Sequence, residues 1–460
     1  MQGKPLASTK LRILEGCLLN QSKELENLMA QSNINGVVLL KQAGCSAVMA
    51  ARGWADRNLQ KPLHVDSVFE LASLAKPITA VAVIQLAEKG VLNLEDDLSK
   101  WLPNFPYAHI QIIHLLQHTS GLPEYMQLLA EHAAGVNGTI SNHTVLDLLI
   151  QNKPDIYFEP GESWAYTNTN YVLLALLVEK ATGRSFADYL QEAIFQPLGM
   201  EHSFVATAPP AENMAEPHAY DPIKQQYVSP ADLPEYSYVT YMKAVQGDGS
   251  ILSNAEDLMA FMEGWQSGKL AGLDTVREAE TPVDLGMEGS IGYGYGWLVA
   301  DTDKGMRVGH TGGWPGSSTC LYHYPEHGKT LICLLNEESE QEFEKEFTEA
   351  AIHILFEENY QLPKHPKQRK VHALDLKTME NLSGSYLFPD GLTAALVIEN
   401  GLLYFKVSGQ MTAAVYAISA TEWVIHNTGI TLTADPDKLL NEGIGFQQEE
   451  ETLFLEKTAE

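Results

Sequence analysis

Positive charge is scarce in this chain: 30 lysines and arginines stand against 59 aspartates and glutamates, a formal net charge of −29 over 460 residues. That balance argues against nucleic acid or an anionic membrane surface as partner, because both are bound through clustered cations. Cysteine is scarcer still. Cys17, Cys45, Cys320 and Cys333 are too few for a disulfide framework in a chain of this size. Cys320 and Cys333 flank a hairpin-like stretch at 325–328 and fit either a cross-strand pair or, more simply, two small buried thiols. No apolar run is long enough to span a membrane, and residues 1–20 mix charges into leucine-rich sequence, without the continuous apolar core of a signal peptide. There is no Gly-x-Ser-x-Gly elbow, which argues against an α/β-hydrolase triad. A Cys-x-x-Cys pair, a phosphate-binding glycine loop and a dinucleotide fingerprint are also missing, so no cofactor is implied.

What the chain does have is three short motifs in a fixed order: Ser73-Leu-Ala-Lys76, Tyr166-Thr-Asn168 and His310-Thr-Gly312. A Ser-x-x-Lys spacing alone arises about once or twice by chance at this length, and by itself it also fits a helix-capping serine followed by a solvated lysine. Context adds specificity. Ser73 follows the apolar, strand-like or loop segment 68–72 and opens a long apolar stretch, with Pro77 in the first turn and Gly90 as the stop, which predicts a helix with the serine at its N-terminus. Unpaired backbone N–H groups there favour developing negative charge. Residues three apart share a helix face, so Lys76 can reach the Ser73 hydroxyl. A lysine among apolar neighbours gives up its proton more readily and can act as a base.

Tyr166 and Asn168 are predicted on a polar loop after a Pro-Gly turn, braced by a strongly apolar helix. A phenol beside a lysine can carry protons, and an asparagine can both donate to a substrate carbonyl and hold the lysine. The third motif falls among β-rich runs separated by glycine turns, which predicts consecutive antiparallel strands. Gly312 and Gly313 leave that strand edge bare, so another backbone can approach, with the Gly313 N–H as an oxyanion donor. Together these groups describe an acyl-transfer site.

In content and order the motifs resemble the serine β-lactamase and penicillin-binding-protein family, in the branch that holds class C β-lactamases, D-Ala-D-Ala carboxypeptidases, D-amino-acid amidases and β-lactamase-fold esterases. Segments 115–123, 196–200, 247–253 and 293–297 resemble it too, and the likeness runs from about Gly36 to Tyr360. The resemblance implies Ser73 as the acylated nucleophile, Lys76 and Tyr166 as the general-base pair, and Asn168 as a positioning group. His310 and Thr311 would line the substrate strand, and the Ser73 and Gly313 N–H groups would form the oxyanion hole. His-Thr-Gly in place of Lys-Thr-Gly removes a permanent cation that would hold a substrate carboxylate, because an ordinary histidine is mostly neutral at neutral pH. Efficient β-lactam hydrolysis is therefore not expected. Many members of this family are exported, so the compartment is expected to be the cytoplasm for the chain as given, and the periplasm or exterior if a leader was removed.

His114 and His118 have a metal-capable spacing, but no glutamate follows His114 and both lie within the family-like segment, so no metal site is assigned. Among the loop aromatics, which include Tyr220, Tyr227, Tyr236, Tyr238 and Tyr241, Tyr125 and Trp314 are the chosen pocket candidates.

A basic, proline-containing stretch at 362–370 interrupts an acidic chain and reads as a linker. Residues 1–361 are expected to form the hydrolase domain, of α+β class: a β-lactamase-like antiparallel sheet flanked by helices, with a helical subdomain. Residues 371–460 show short strands with turn dipeptides and are expected to form a small antiparallel β-sandwich or lipocalin-like barrel. The expected function is a serine acyl hydrolase acting on a small ester, amide, D-amino-acid peptide or β-lactam. The competing reading is a non-catalytic binding or scaffolding protein that keeps the fold.

Overall fold

A computed structural model describes residues 10–13, 19–132, 139–206, 213–286, 291–365, 370–389, 392–399, 401–407, 413–434, 442–448 and 451–458. Cys17 and positions 366–369 of the expected linker lie outside those residues. The chain divides into two compact units. The first comprises Met1–Pro217, Val239–Glu337 and Ala351–Tyr360, the second His218–Tyr238, Glu338–Ala350 and Gln361–Glu460.

The first unit is built on a seven-stranded antiparallel sheet whose strands come from both ends of its sequence. In spatial order they are Lys10–Ile13, Val48–Arg52, Gly36–Gln42, Lys329–Leu335, Ser317–Tyr324, Gly305–Trp314 and Leu298–Thr302. The central strands are unbroken apolar runs, with Val37–Leu40 and Leu331–Leu335 almost wholly buried, which marks a sheet covered on both faces. The helices Leu19–Gln31 and Ala255–Gln266 pack on these strands. Cys320 and Cys333 stand directly opposite in register as free, buried thiols, while Cys45 is disulfide-bonded.

Between the two halves of the sheet lies the helical part. Its central helix, Lys76–Glu88, is buried from Lys76 to Leu86 and packs against the equally apolar Asn168–Thr182. A helix that is apolar all round can be stable only inside a protein. Ser73 precedes this helix in a 3₁₀ turn, Ala72–Ala75, and the α-helix proper starts at Lys76 with Pro77 in its first turn. The predicted helix is thus present, but its first turn is tighter than expected.

In the second unit, eight antiparallel strands from Gly384–Leu387 to Glu451–Lys457 close into a barrel. Leu396, Leu403, Phe405, Trp423, Ile425, Ile444 and Leu455 fill a single apolar core, as expected when eight strands leave room only for side chains. Polar contacts tie the earlier segments of this unit together. Glu338 accepts from the Tyr236 hydroxyl and, at 2.9 Å, from the Tyr220 N–H, and the Tyr416 hydroxyl of the barrel donates to Glu235 at 2.7 Å.

Candidate active site

Ser73 lies just after an unusual backbone position. Ala72 has φ +49°, a left-handed conformation that side chains other than glycine seldom adopt. Its partners explain how it is held: the Leu71 N–H donates to the Ile251 carbonyl, and the Leu71 carbonyl accepts from the buried Thr319 hydroxyl at 2.7 Å. In the 3₁₀ turn that follows, residues i and i+3 eclipse each other, which places Lys76 over Ser73.

Lys76 is wholly buried, and its Nζ lies 2.8 Å from Ser73 Oγ, 2.8 Å from Asn168 Oδ1 and 3.1 Å from the Asp248 carbonyl oxygen. Two of these three partners can only accept. The amide of Asn168 is oriented by Glu124, whose Oε2 accepts from the Asn168 backbone N–H at 2.8 Å and from Nδ2 at 3.2 Å. Two N–H bonds of Lys76 are therefore committed, and the third position, hydrogen or lone pair, faces the serine hydroxyl. An ammonium donates there, and a neutral amine accepts the serine proton. Asp248 is brought in by Gly247, at φ +102°, where a Cβ would overlap the Tyr171 carbonyl of the neighbouring helix. The Thr79 hydroxyl holds the Gly247 carbonyl at 2.7 Å.

Asn168 is the first residue of the helix Asn168–Thr182, with Thr167 as its N-cap, rather than a loop residue as the sequence suggested. The loop expected there ends one residue earlier because the backbone N–H of Asn168 has a carboxylate partner in Glu124. Tyr166 does lie in that loop. It is 37% exposed, presents its ring 4.8 Å from Lys76 Nζ, and packs against the His118 ring, tilted by 32° with centroids 4.3 Å apart.

The His310 strand alternates faces. Thr311 and Gly313 are exposed, whereas His310 and Gly312 are buried. A Cβ on Gly312 would overlap the Leu71 carbonyl oxygen and Thr319 Oγ1, so the bare position lets the strand lie against the turn that carries Ser73. Gly313 faces open space, with no atom within 4 Å of its would-be Cβ. Trp314 is half-buried at the strand's end. His310 is 2% exposed, its Nδ1 lies 2.6 Å from the Thr311 carbonyl, and its Nε2 lies 3.1 Å from the Tyr293 hydroxyl. A carbonyl can only accept, so Nδ1 carries the proton and Nε2 accepts from tyrosine. Burial, with Lys76 adding to it, pushes this imidazole down to about 3, against a small opposing pull from the Thr311 carbonyl.

The reading of Tyr125 changes. Tyr125 is 2% exposed and its hydroxyl donates to Asp248 Oδ2 at 3.0 Å, so it belongs to the wall behind Lys76 and not to an open pocket. His114 lies in the short helix Ile112–Leu116 and His118 beyond its end at φ +60°, so the two share no helix face. His118 Nδ1 instead accepts from the Asn170 amide at 3.1 Å and the Thr167 N–H at 3.3 Å. No cluster of metal-ligating side chains occurs among the described residues.

The profile of the β-lactamase family matches residues 22–354. The chain belongs to the β-lactamase family. It is accordingly a serine hydrolase, and its relatives vary in activity. Penicillin-binding protein 4* of Bacillus subtilis is 38% identical over 419 residues, 88% of this chain and 92% of that protein. Esterase EstB of Burkholderia gladioli is 29% identical over 311 residues, covering 60% of this chain and 77% of the esterase. The crystal structure of a penicillin-binding protein from Bacillus halodurans superposes with a TM-score of 0.63 at 27% identity, over 72% of this chain and 99% of that one.

Reading the sequence of this β-lactamase family member left out Glu124, Asp248, Tyr293 and Thr319. Asp248 and Tyr293 lie inside the family-like segments 247–253 and 293–297, which is the signal that marks them. Glu124 directly follows segment 115–123. Thr319 carries no local signal, and only strand register places it opposite Gly312.

Proposed function

We propose that the chain hydrolyses small esters or amides, D-amino-acid peptides among them, through an acyl-enzyme on Ser73, and that carboxylate-dependent β-lactams are poor substrates. The observation that carries this reading is the 2.8 Å contact between Ser73 Oγ and a Lys76 Nζ whose other two contacts are acceptor-only oxygens. As Ser73 Oγ attacks the substrate carbonyl, its proton passes to the neutral amine of Lys76. Negative charge develops on the carbonyl oxygen, where the N–H groups of Ser73 and Gly313 would receive it. Collapse breaks the ester or amide bond, and the leaving alkoxide or amine takes the proton from Lys76, directly or through the Tyr166 hydroxyl. Water then attacks the acyl carbonyl, its proton following the same route, and Ser73 is restored.

The preference against carboxylates rests on His310. A neutral imidazole already bonded to Tyr293 and the Thr311 carbonyl offers no cation to a substrate. Thr311 and Gly313 remain to bind acyl donors through neutral hydrogen bonds. Mass spectrometry tests the nucleophile: a fluorophosphonate should add its phosphonyl mass to wild type and not to Ser73→Ala. Wild type left unmodified would reject the assignment. For the substrate class, a p-nitrophenyl ester, a D-Ala-D-Ala peptide and a chromogenic cephalosporin are compared side by side, and fast turnover of the cephalosporin alone would reject the preference.

A further inference from the structure

Glu124 is half-buried, and its carboxylate bonds the Asn168 amide that in turn accepts from Lys76. Resting on the assignment of Ser73 and Lys76 above, we infer that Glu124 is a charged positioning residue: it fixes the Asn168 amide with its oxygen toward Lys76 and supplies the negative charge that governs how readily the site loses its proton.

The first half follows from donors and acceptors. An asparagine amide can flip, and with Nδ2 turned toward Lys76 it would set a donor against a donor and leave the lysine one acceptor short. Glu124 Oε2 removes that freedom, because a carboxylate oxygen can hold Nδ2 and cannot hold Oδ1. The same oxygen takes the Asn168 N–H and lies 3.4 Å from the Thr167 hydroxyl, while Oε1 takes the Met126 N–H at 3.3 Å. Burial raises this carboxyl above the ordinary carboxylate range, and the N–H donors of Asn168 and Met126 on its two oxygens oppose that rise and favour the ionised form. A carboxylate at the N-terminus of the fifteen-residue helix Asn168–Thr182 also meets the positive end of that helix.

The second half concerns charge. Lys76 is buried, and its neighbours include the rings of Tyr166 and Tyr171 and the neutral imidazoles of His118 and His310, none of which balances a cation with a full charge. The balance falls to two carboxylates. Asp248 offers Lys76 its backbone oxygen and turns its side chain to Tyr125, whereas Glu124 reaches Lys76 through the Asn168 amide. Burial raises both carboxyls, Asp248 adds to the rise at Glu124, and Lys76 pulls each of them back toward the ionised form. Removing either negative charge makes the buried ammonium easier to deprotonate.

Glutamine separates the two roles, because its Oε1 can keep the Asn168 contacts while the charge is gone, whereas alanine loses both. The readout is the second-order rate of fluorophosphonate labelling of Ser73 as a function of pH, which needs no knowledge of the substrate. Glu124→Ala should label at least about tenfold more slowly at the wild-type optimum. Placed on Asn168→Ala, the same change should cost less than about threefold, since the amide it positions is absent. Glu124→Gln should keep its plateau rate within about threefold of wild type, with the acidic midpoint lowered by about half a pH unit or more. An unshifted midpoint in Glu124→Gln overturns the role of its charge. Full additivity with Asn168→Ala overturns its action through the amide. An unlabelled wild type would overturn the Ser73 assignment and this inference with it, whereas a labelled wild type matched by both variants would overturn the inference alone. Should Glu124→Ala fold poorly, as judged by circular dichroism, Glu124→Gln decides.

Discussion

His310 is neutral because of where its ring lies. Its charged form is disfavoured first by burial and further by Lys76, and both ring nitrogens are already bonded. Its folded value is depressed, so the fold disfavours the imidazolium, and this contribution to stability falls away as pH drops below the ordinary histidine range, about 6.5. NMR gives a direct check: the His310 Cε1–H resonance should stay flat between about pH 5 and 9, and a midpoint near 6.5 would show that the ring is open to protonation. This also sharpens the contrast with a Lys-Thr-Gly strand. The identity of residue 310 was legible in the sequence, but its burial and its bond to Tyr293 were not, because Tyr293 meets it only when the two segments fold together.

At the scale of elements, the decisive contact is the one between the Gly305–Trp314 strand and the turn Ala72–Ala75. Gly312 allows it by having no side chain, and the Thr319 hydroxyl fastens it through the Leu71 carbonyl. Gly312→Ala should therefore destabilise the protein by about 2 kcal/mol and lower activity more than about tenfold, because either the strand or the turn that carries Ser73 must shift. Gly313→Ala should change stability by less than about 0.5 kcal/mol, its Cβ meeting open space. Any activity that Gly313→Ala loses then reports on substrate approach. Thermal unfolding and ester turnover on both variants check the pair, and equal stability losses would contradict the contact. The Ser73–Lys76 pairing was readable because its two residues are only three apart, a spacing that puts them on one helix face. The Lys76–Asn168 and Lys76–Asp248 bonds span 92 and 172 residues, so motif order suggested that the segments meet but could not say which atoms touch.

The whole molecule is strongly acidic, and some of that acid is held where water is scarce. Glu70, on the short strand leading to Ser73, is raised to about 7 by burial, with Asp248 adding to the rise and Lys243 opposing it. The fold thus favours its neutral form: that stability is present below the ordinary carboxylate range and is lost as pH rises through 7. Glu70→Gln should accordingly raise unfolding free energy by about 1 kcal/mol more at pH 8 than at pH 5, a figure reduced for the partial solvent access of this half-buried side chain. Denaturant titrations at the two pH values measure it, and an equal gain at both would show that Glu70 is already ionised in the fold.

By itself the sequence determined the β-lactamase-like α+β class, through the order of its motifs and their resemblance to a family, and the Ser73-x-x-Lys76 spacing and the run of strands beyond residue 371, which are written in local period, turn chemistry and short spacing. Only the tertiary structure decided that Glu124 orients Asn168, that Tyr125 faces inward and that segment His218–Tyr238 belongs with the barrel unit. The orientation of an amide, the burial of a ring and the company a loop keeps are set by hydrogen-bond partners and packing that arrive from distant parts of the chain, and no local pattern records them.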